Sequence, residues 1–267
     1  NLPSVNPGIT VAIPVGPLPA HRRWLEECLV SVRDQTYVGR VHVLIIDDMA
    51  GLDETALSPL RRENDRISDD RGNWFWQFDY WREMSLSYPL DGHQNTWQPA
   101  VARIMRTPWR VGVAHAFNFG VALAQDDLVF MLGADDELEP ECLERCVEAW
   151  EATGHQDAYF WVPITYMDTG EQQGLACNAA MVTKGLWRRT GGFAPESAVG
   201  APDAAFISSM LAHHPEALVR ASGPPLYRYR RHGETDTAMR GPWQGAILET
   251  RRLLTELWAP PTWGRDG

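Results

Sequence analysis

Leu128-Val-Phe-Met-Leu-Gly-Ala-Asp-Asp136 decides how this chain is read. Five apolar residues in succession describe a strand buried on both faces, and they run straight into a pair of carboxylates. In an open α/β sheet the carboxyl ends of parallel strands face the ligand crevice. Asp135 and Asp136 are therefore expected on that edge, where acidic side chains hold a divalent cation against phosphate oxygens. Taken alone, such a pair would serve equally well as a solvated turn before the next helix.

The same design occurs earlier. Val41-His-Val-Leu-Ile-Ile46 also stops on paired acids, Asp47-Asp48, and follows the strand Ile9-Thr-Val-Ala-Ile-Pro14 and an amphipathic helix over about residues 20–33. Strand, helix and strand form a βαβ unit, which sets both strand ends on one rim. Further helices are predicted over residues 53–64, with Asp53 as cap, over 113–124 after Gly112, and from Pro140 to about Thr153, where Gly154 stops it. Residues 101–105, 158–162, 178–182 and 218–221 have strand composition, and 226–230 form an extended exit. Residues 186–190 and 204–213 are expected to be helical, and one more helix is expected over about 243–257 in the tail. Residues 66–100 break this rhythm. Trp74, Phe75, Trp76, Phe78, Tyr80, Trp81, Tyr88 and Trp97 crowd there, which describes an insertion that either exposes a binding surface or packs as a small satellite core.

The 267 residues fit one catalytic domain over residues 1–235 with a helical tail over 236–267. With 24 basic against 35 acidic side chains the formal charge is −11, which argues against general tracking along nucleic acid or attraction to anionic membrane, though a modified base stays open as an acceptor. Cys28, Cys142, Cys146 and Cys177 are too scattered for a disulfide framework and lack the spacing of a zinc site, and Cys28, Cys142 and Cys146, in helical patterns, read as buried reduced thiols. No run approaches a membrane span, and the first residues, Asn1-Leu-Pro-Ser, carry no signal-peptide pattern, so the expectation is a cytoplasmic protein without a transmembrane segment.

Four ordered stretches resemble a family 2 glycosyltransferase of the GT-A fold, over roughly residues 10–232. They are Thr10-Val-Ala-Ile-Pro-Val15, the helix ending in Gln35-Thr36, Ile45-Ile-Asp-Asp48, and Gly112-Val-Ala-His-Ala-Phe-Asn118-Phe-Gly120. The resemblance implies a three-layer α/β/α sandwich around a mixed, mainly parallel sheet. It also implies an inverting, metal-dependent transfer of sugar from a nucleoside diphosphate, UDP in the first instance, to a hydroxyl acceptor. Where the family carries Asp-x-Asp this chain has Gly133-Ala134-Asp135, so one carboxylate is missing. Asp135 would then hold Mn²⁺ or Mg²⁺, with Asp136 and His232 as further candidate ligands. Pro202-Asp203 stands where the family has Glu-Asp, which makes Asp203 the expected general base; an ordinary helix cap would occupy the same place.

The donor is expected against Pro14, Val15, Asp47, Asp48, Arg110, Asn118, Ala134, Asp135 and Arg230, with Asp48 accepting a base N–H by resemblance. Trp187 and Phe193 are assigned to the acceptor region, although their size alone would justify burial. A nucleotidyltransferase, or a non-catalytic module that binds sugar nucleotides or glycans, remains the alternative reading.

Overall fold

The computed structural model describes residues 6–60, 66–68, 74–76, 101–194 and 202–233. Its strands, in chain order, are β1 (Ile9–Val15), β2 (Val41–Asp47), β3 (Arg66–Ser68), β4 (Trp74–Trp76), β5 (Val101–Arg106) and β6 (Leu128–Met131). They continue as β7 (Glu137–Leu138), β8 (Tyr159–Tyr166), β9 (Gln172–Thr183), β10 (Leu218–Arg220) and β11 (Tyr227–Tyr229). Helices are α1 (Pro19–Arg23), α2 (Leu25–Arg33), α3 (Gly112–Leu123), α4 (Cys142–Ala152), α5 (Lys184–Thr190) and α6 (Pro202–His213).

The main sheet is mixed, in the order β5-β2-β1-β6-β9-β8-β11-β7, with β10 against β8. β5, β2, β1 and β6 are mutually parallel, so four consecutive strand ends share one edge. β9 reverses direction between β6 and β8, a turn of the sheet that a doubly wound parallel fold lacks. The central strands are apolar because they are covered on both faces: Ile9, Val11, Ala12, Ile13 and Val129–Met131 are fully buried. One contact sets the height of α3 over β1. A Cβ on Gly120 would come within 2.7 Å of the Cβ of Ala12, so two small residues let helix and strand approach.

Gln35, two residues past the end of α2, is buried, and its amide serves as a staple. Its Nε2 donates to the carbonyls of Ser31 (3.0 Å) and Glu139 (2.8 Å), and its Oε1 accepts from the Leu143 N–H at 3.0 Å. This ties the βαβ unit to the start of α4. At the opposite edge of the sheet Asp126 accepts from the Thr10 hydroxyl (2.8 Å) and lies 2.6 Å from His42 Nδ1, a polar floor away from the ligand edge.

Three expectations are corrected. The helix over 20–33 is interrupted at Trp24, whose φ of −105° and ψ of 0° leave the helical region. Residues 53–64 yield a 3₁₀ helix, Glu54–Leu60, because Pro59 lacks the N–H needed to extend an α-helix. Asp53 still caps it, accepting from the Thr55 N–H at 2.9 Å. β8 and β9 extend well past the apolar runs at 158–162 and 178–182, forming a hairpin through Gly170 at φ +69°. β7 has only two residues, too short for any periodicity to reveal. Within the aromatic insertion β3 and β4 pair antiparallel; the rest of that segment and the predicted tail helix lie outside the described residues.

Gly120→Val should destabilise the protein by about 1–3 kcal/mol through overpacking against Ala12. Urea unfolding checks this against Gly174→Ala, where a Cβ meets nothing within 4 Å.

Candidate active site

The two acids that end β2 are turned inward. Asp47 Oδ1 accepts from the N–H groups of Ala50 (2.7 Å) and Gly51 (3.1 Å), and its Oδ2 accepts from Leu52 N–H at 2.9 Å. Asp48 accepts from the Thr107 hydroxyl (3.1 Å) and from the N–H groups of Val111 (2.6 Å) and Gly112 (2.9 Å), which open α3. A carboxylate there meets both unpaired donors and the positive end of the helix dipole. Asp47 and Asp48 thus build the loops of the rim. Pro14 and Val15 stand beside them at the end of β1, where the Val15 carbonyl accepts from Asp48 N–H at 2.9 Å, and Arg110 lies exposed on the loop before α3.

The acids after β6 divide their labour. Asp136 is 2% exposed and accepts from the Tyr227 hydroxyl at 2.6 Å and from Arg230 N–H at 2.8 Å. Burial, with the charge of Asp135 alongside, pushes its carboxyl up to about 8, against the pull of those hydrogen bonds toward the anion. Asp135 faces the other way: its Oδ2 lies 2.8 Å from His232 Nε2. Arg230 locks the turn from outside, donating from Nε to the Asp135 carbonyl (2.8 Å) and from its terminal nitrogen to Glu137 (2.8 Å) and Glu27.

Gly133 explains the missing acid of the Asp-x-Asp pattern. A Cβ there would lie 2.6 Å from Asp136 Oδ2 and 3.1 Å from Asp135 Oδ1, so the turn that folds Asp136 inward has room for glycine alone. Gly133 N–H also donates to the Tyr227 hydroxyl at 3.1 Å. Ala134 is buried between them.

Asp203 sits in the first turn of α6, half-buried, after a proline suited to the first helical position. Tyr229 connects it to the corner: burial, with Asp136, Asp135 and then Asp203, raises the Tyr229 phenol. Asn118 is a clamp, its Nδ2 donating to the Phe193 carbonyl and its Oδ1 accepting from Phe193 N–H, both at 2.9 Å. The held loop needs glycine at 192, where φ is +74° and a Cβ would meet Asn118 Oδ1 at 2.6 Å. Trp187 and Phe193 pack with Phe206 at centroid distances of 4.9–5.1 Å and are 8% and 4% exposed, so they form the core beneath α6.

Sequence reasoning missed Trp24, Tyr227 and Tyr229. Tyr227 and Tyr229 alternate with Arg228 and Arg230 along β11, the period-two signal of a strand with two different faces. Trp24 left no signal beyond an aromatic inside a helical pattern. Its ring meets His232 at 4.5 Å between centroids and lies 5.0 Å from the Arg230 guanidinium carbon.

Among the described residues no group of three or more His, Cys, Asp or Glu side chains could cage a metal. Asp135 and His232 supply one oxygen and one nitrogen at a single point. That set fits a divalent cation whose remaining ligands are phosphate oxygens and water.

A central mixed sheet flanked by helices, with acids at the parallel strand ends, is the architecture of the GT-A nucleotide-sugar transferases. The model of the family described as glycosyl transferase family 2 matches residues 87–207. The matched stretch begins inside the aromatic insertion and leaves out the strands and helices before it. No curated protein matches the chain. Among solved structures, residues 1–349 of S. aureus TarS in complex with UDP-GlcNAc superpose with a TM-score of 0.60 at 12% identity, covering 93% of this chain and 66% of that one. The UDP complex of the same TarS fragment gives 0.59 at 12%, covering 93% and 64%. The mannosyltransferase PcManGT from Pyrobaculum calidifontis, in complex with GDP-Man and Mn2+, gives 0.53 at 17%, covering 97% and 67%. The chain spans 39% of the longer TarS structure.

Restoring the acid by Gly133→Asp should lower stability, with no gain in metal affinity, because the new side chain enters the space of Asp136; thermal melts with and without Mn²⁺ check this. The raised carboxyl also carries a sign. A group titrating at about 8 in the fold and at 3.8 ordinarily favours folding most below 3.8, and that contribution disappears as pH climbs toward 8. Subtracting the stability of Asp136→Asn from that of wild type should therefore give a difference that falls across this window, measured by denaturant unfolding at a series of pH values.

Proposed function

We propose that the protein transfers a sugar from a nucleoside-diphosphate donor, UDP-linked in the first instance, to a hydroxyl acceptor, inverting the anomeric carbon. The observation that carries this reading is the meeting of Asp135 and His232 at 2.8 Å on the carboxyl edge of the parallel strands, beneath a basic segment after β11. The TarS complexes with UDP and UDP-GlcNAc, and the PcManGT complex with GDP-Man and Mn2+, support a nucleotide sugar as ligand of this fold.

Asp135 and His232 would hold Mn²⁺ or Mg²⁺, which when bound offsets the charge gathering on the departing diphosphate. Asp136 stays behind, setting the direction of Asp135. The rim loops organised by Asp47 and Asp48, with Pro14 and Val15, would take base and ribose, and Arg110 and Arg230 would contact the phosphates. Asp203 would take the proton of the acceptor hydroxyl as that oxygen attacks the anomeric carbon and the bond to the diphosphate oxygen breaks. It must come within about 2.6–3.2 Å of that hydroxyl in the reacting complex.

Asp135→Ala should abolish the Mn²⁺ dependence of UDP binding in calorimetry while the fold survives; identical affinities with and without metal in wild type would remove the cation from the reading. Asp203→Asn should keep donor binding and lose about 10²–10⁴-fold in transfer, read by mass spectrometry of released nucleoside diphosphate.

A further inference from the structure

The break between α1 and α2 has no cause in its own backbone: Trp24 N–H still donates to the Ala20 carbonyl at 3.3 Å and Cys28 N–H to the Trp24 carbonyl at 3.0 Å. No proline or glycine interrupts residues 20–33. What the break achieves is placement of the indole. The ring lies 4.5 Å from the His232 imidazole, 5.0 Å from the Arg230 guanidinium carbon and 5.1 Å from that of Arg23. Two of those neighbours grip Asp135, His232 at the carboxylate and Arg230 at the carbonyl.

The segment bearing them follows β11 as its last described stretch, with Gly233 next, so it has no sheet partner of its own beyond Tyr229. Its hold on the corner depends on side chains. Arg231 is fixed by Asp168 and by stacking 4.1 Å from the Tyr166 ring, which points it the other way. His232 and Arg230 share one aromatic neighbour, and a guanidinium over an indole face gains from the ring quadrupole.

We propose that Trp24 is a positioning residue: its indole is the platform that keeps His232 and Arg230 over Asp135, so that the affinity of the corner for a cation and a diphosphate depends on a ring touching neither. The inference rests on the donor reading above and adds to it a residue from the first helix pair. It predicts a specific defect. Removal of the ring loosens the imidazole and weakens cation capture, while phenylalanine, which keeps a π face, retains much of the effect.

The test compares wild type, Trp24→Leu and Trp24→Phe. Mn²⁺ is titrated into each protein with UDP present, melting is followed in parallel, and the imidazole resonances of metal-free protein are recorded, with His232 assigned through its loss in His232→Gln. Trp24→Leu should raise the Mn²⁺ concentration at half-saturation by about tenfold and shift the His232 resonance, with Trp24→Phe falling between it and wild type. A folded Trp24→Leu with wild-type half-saturation, or one whose defect disappears once the fraction folded is allowed for, overturns the platform. If Trp24→Leu does not fold, Trp24→Met supplies the same comparison. Wild type that binds no UDP at any Mn²⁺ concentration overturns the donor reading as well, which separates the two failures.

Discussion

The Tyr227 hydroxyl donates to Asp136 inside the protein, and the geometry of the ligand edge follows from that bond. A carboxyl removed from water costs several kcal/mol unless its oxygens are met. Here Tyr227, arriving on β11, and the N–H of Arg230 meet both oxygens. Gly133 N–H and Asn178 Nδ2, at 3.1 and 3.5 Å from the same hydroxyl, leave Tyr227 its proton for Asp136. Three strands far apart in sequence, β6, β9 and β11, are thereby joined at one point. With Asp136 fastened inward, the preceding side chain, Asp135, leaves the turn on the other side, where it meets His232.

This arrangement accounts for what was legible in the sequence and what was not. The strands ending on acids were readable because burial on both faces leaves an unbroken apolar run, and the edge they share followed from their being parallel. Their individual tasks were not readable. Asp47, Asp48 and Asp136 carry the same side chain as Asp135, yet the first two satisfy backbone N–H groups of loops and the third is buried behind a tyrosine. Such differences arise from which donors come near, and those donors lie from three to ninety-four residues away. Asn118 shows the same limit: its spacing within the Gly112–Gly120 stretch was recognisable, while its clamp on Phe193 belongs to a loop 75 residues later. Trp187 and Phe193 were assigned to an acceptor by position, and packing against Phe206 took them into the core.

The charge of −11 sits oddly with the anionic donor proposed above, and the resolution lies in how the arginines after β11 are paired. Arg228 lies 2.7 Å from Glu137, Arg230 2.8 Å from Glu137 and Arg231 2.9 Å from Asp168. Each cation is held by a carboxylate of the protein, which orders the segment and leaves its positive charge screened. For a diphosphate to draw on Arg230, the guanidinium must give up a partner. Glu27, with half its side chain exposed, is the cheaper one to release, since ion pairs in contact with water are worth only about 0.2–1 kcal/mol. Glu137 is far less exposed, and the Asp135 carbonyl lies on the inner side of the same guanidinium. Exchange of Glu27 alone at the terminal nitrogen, which also holds Glu137, would leave those two contacts standing. On the donor reading proposed above, Arg230 would therefore turn toward a phosphate without unfastening the turn that aims Asp135.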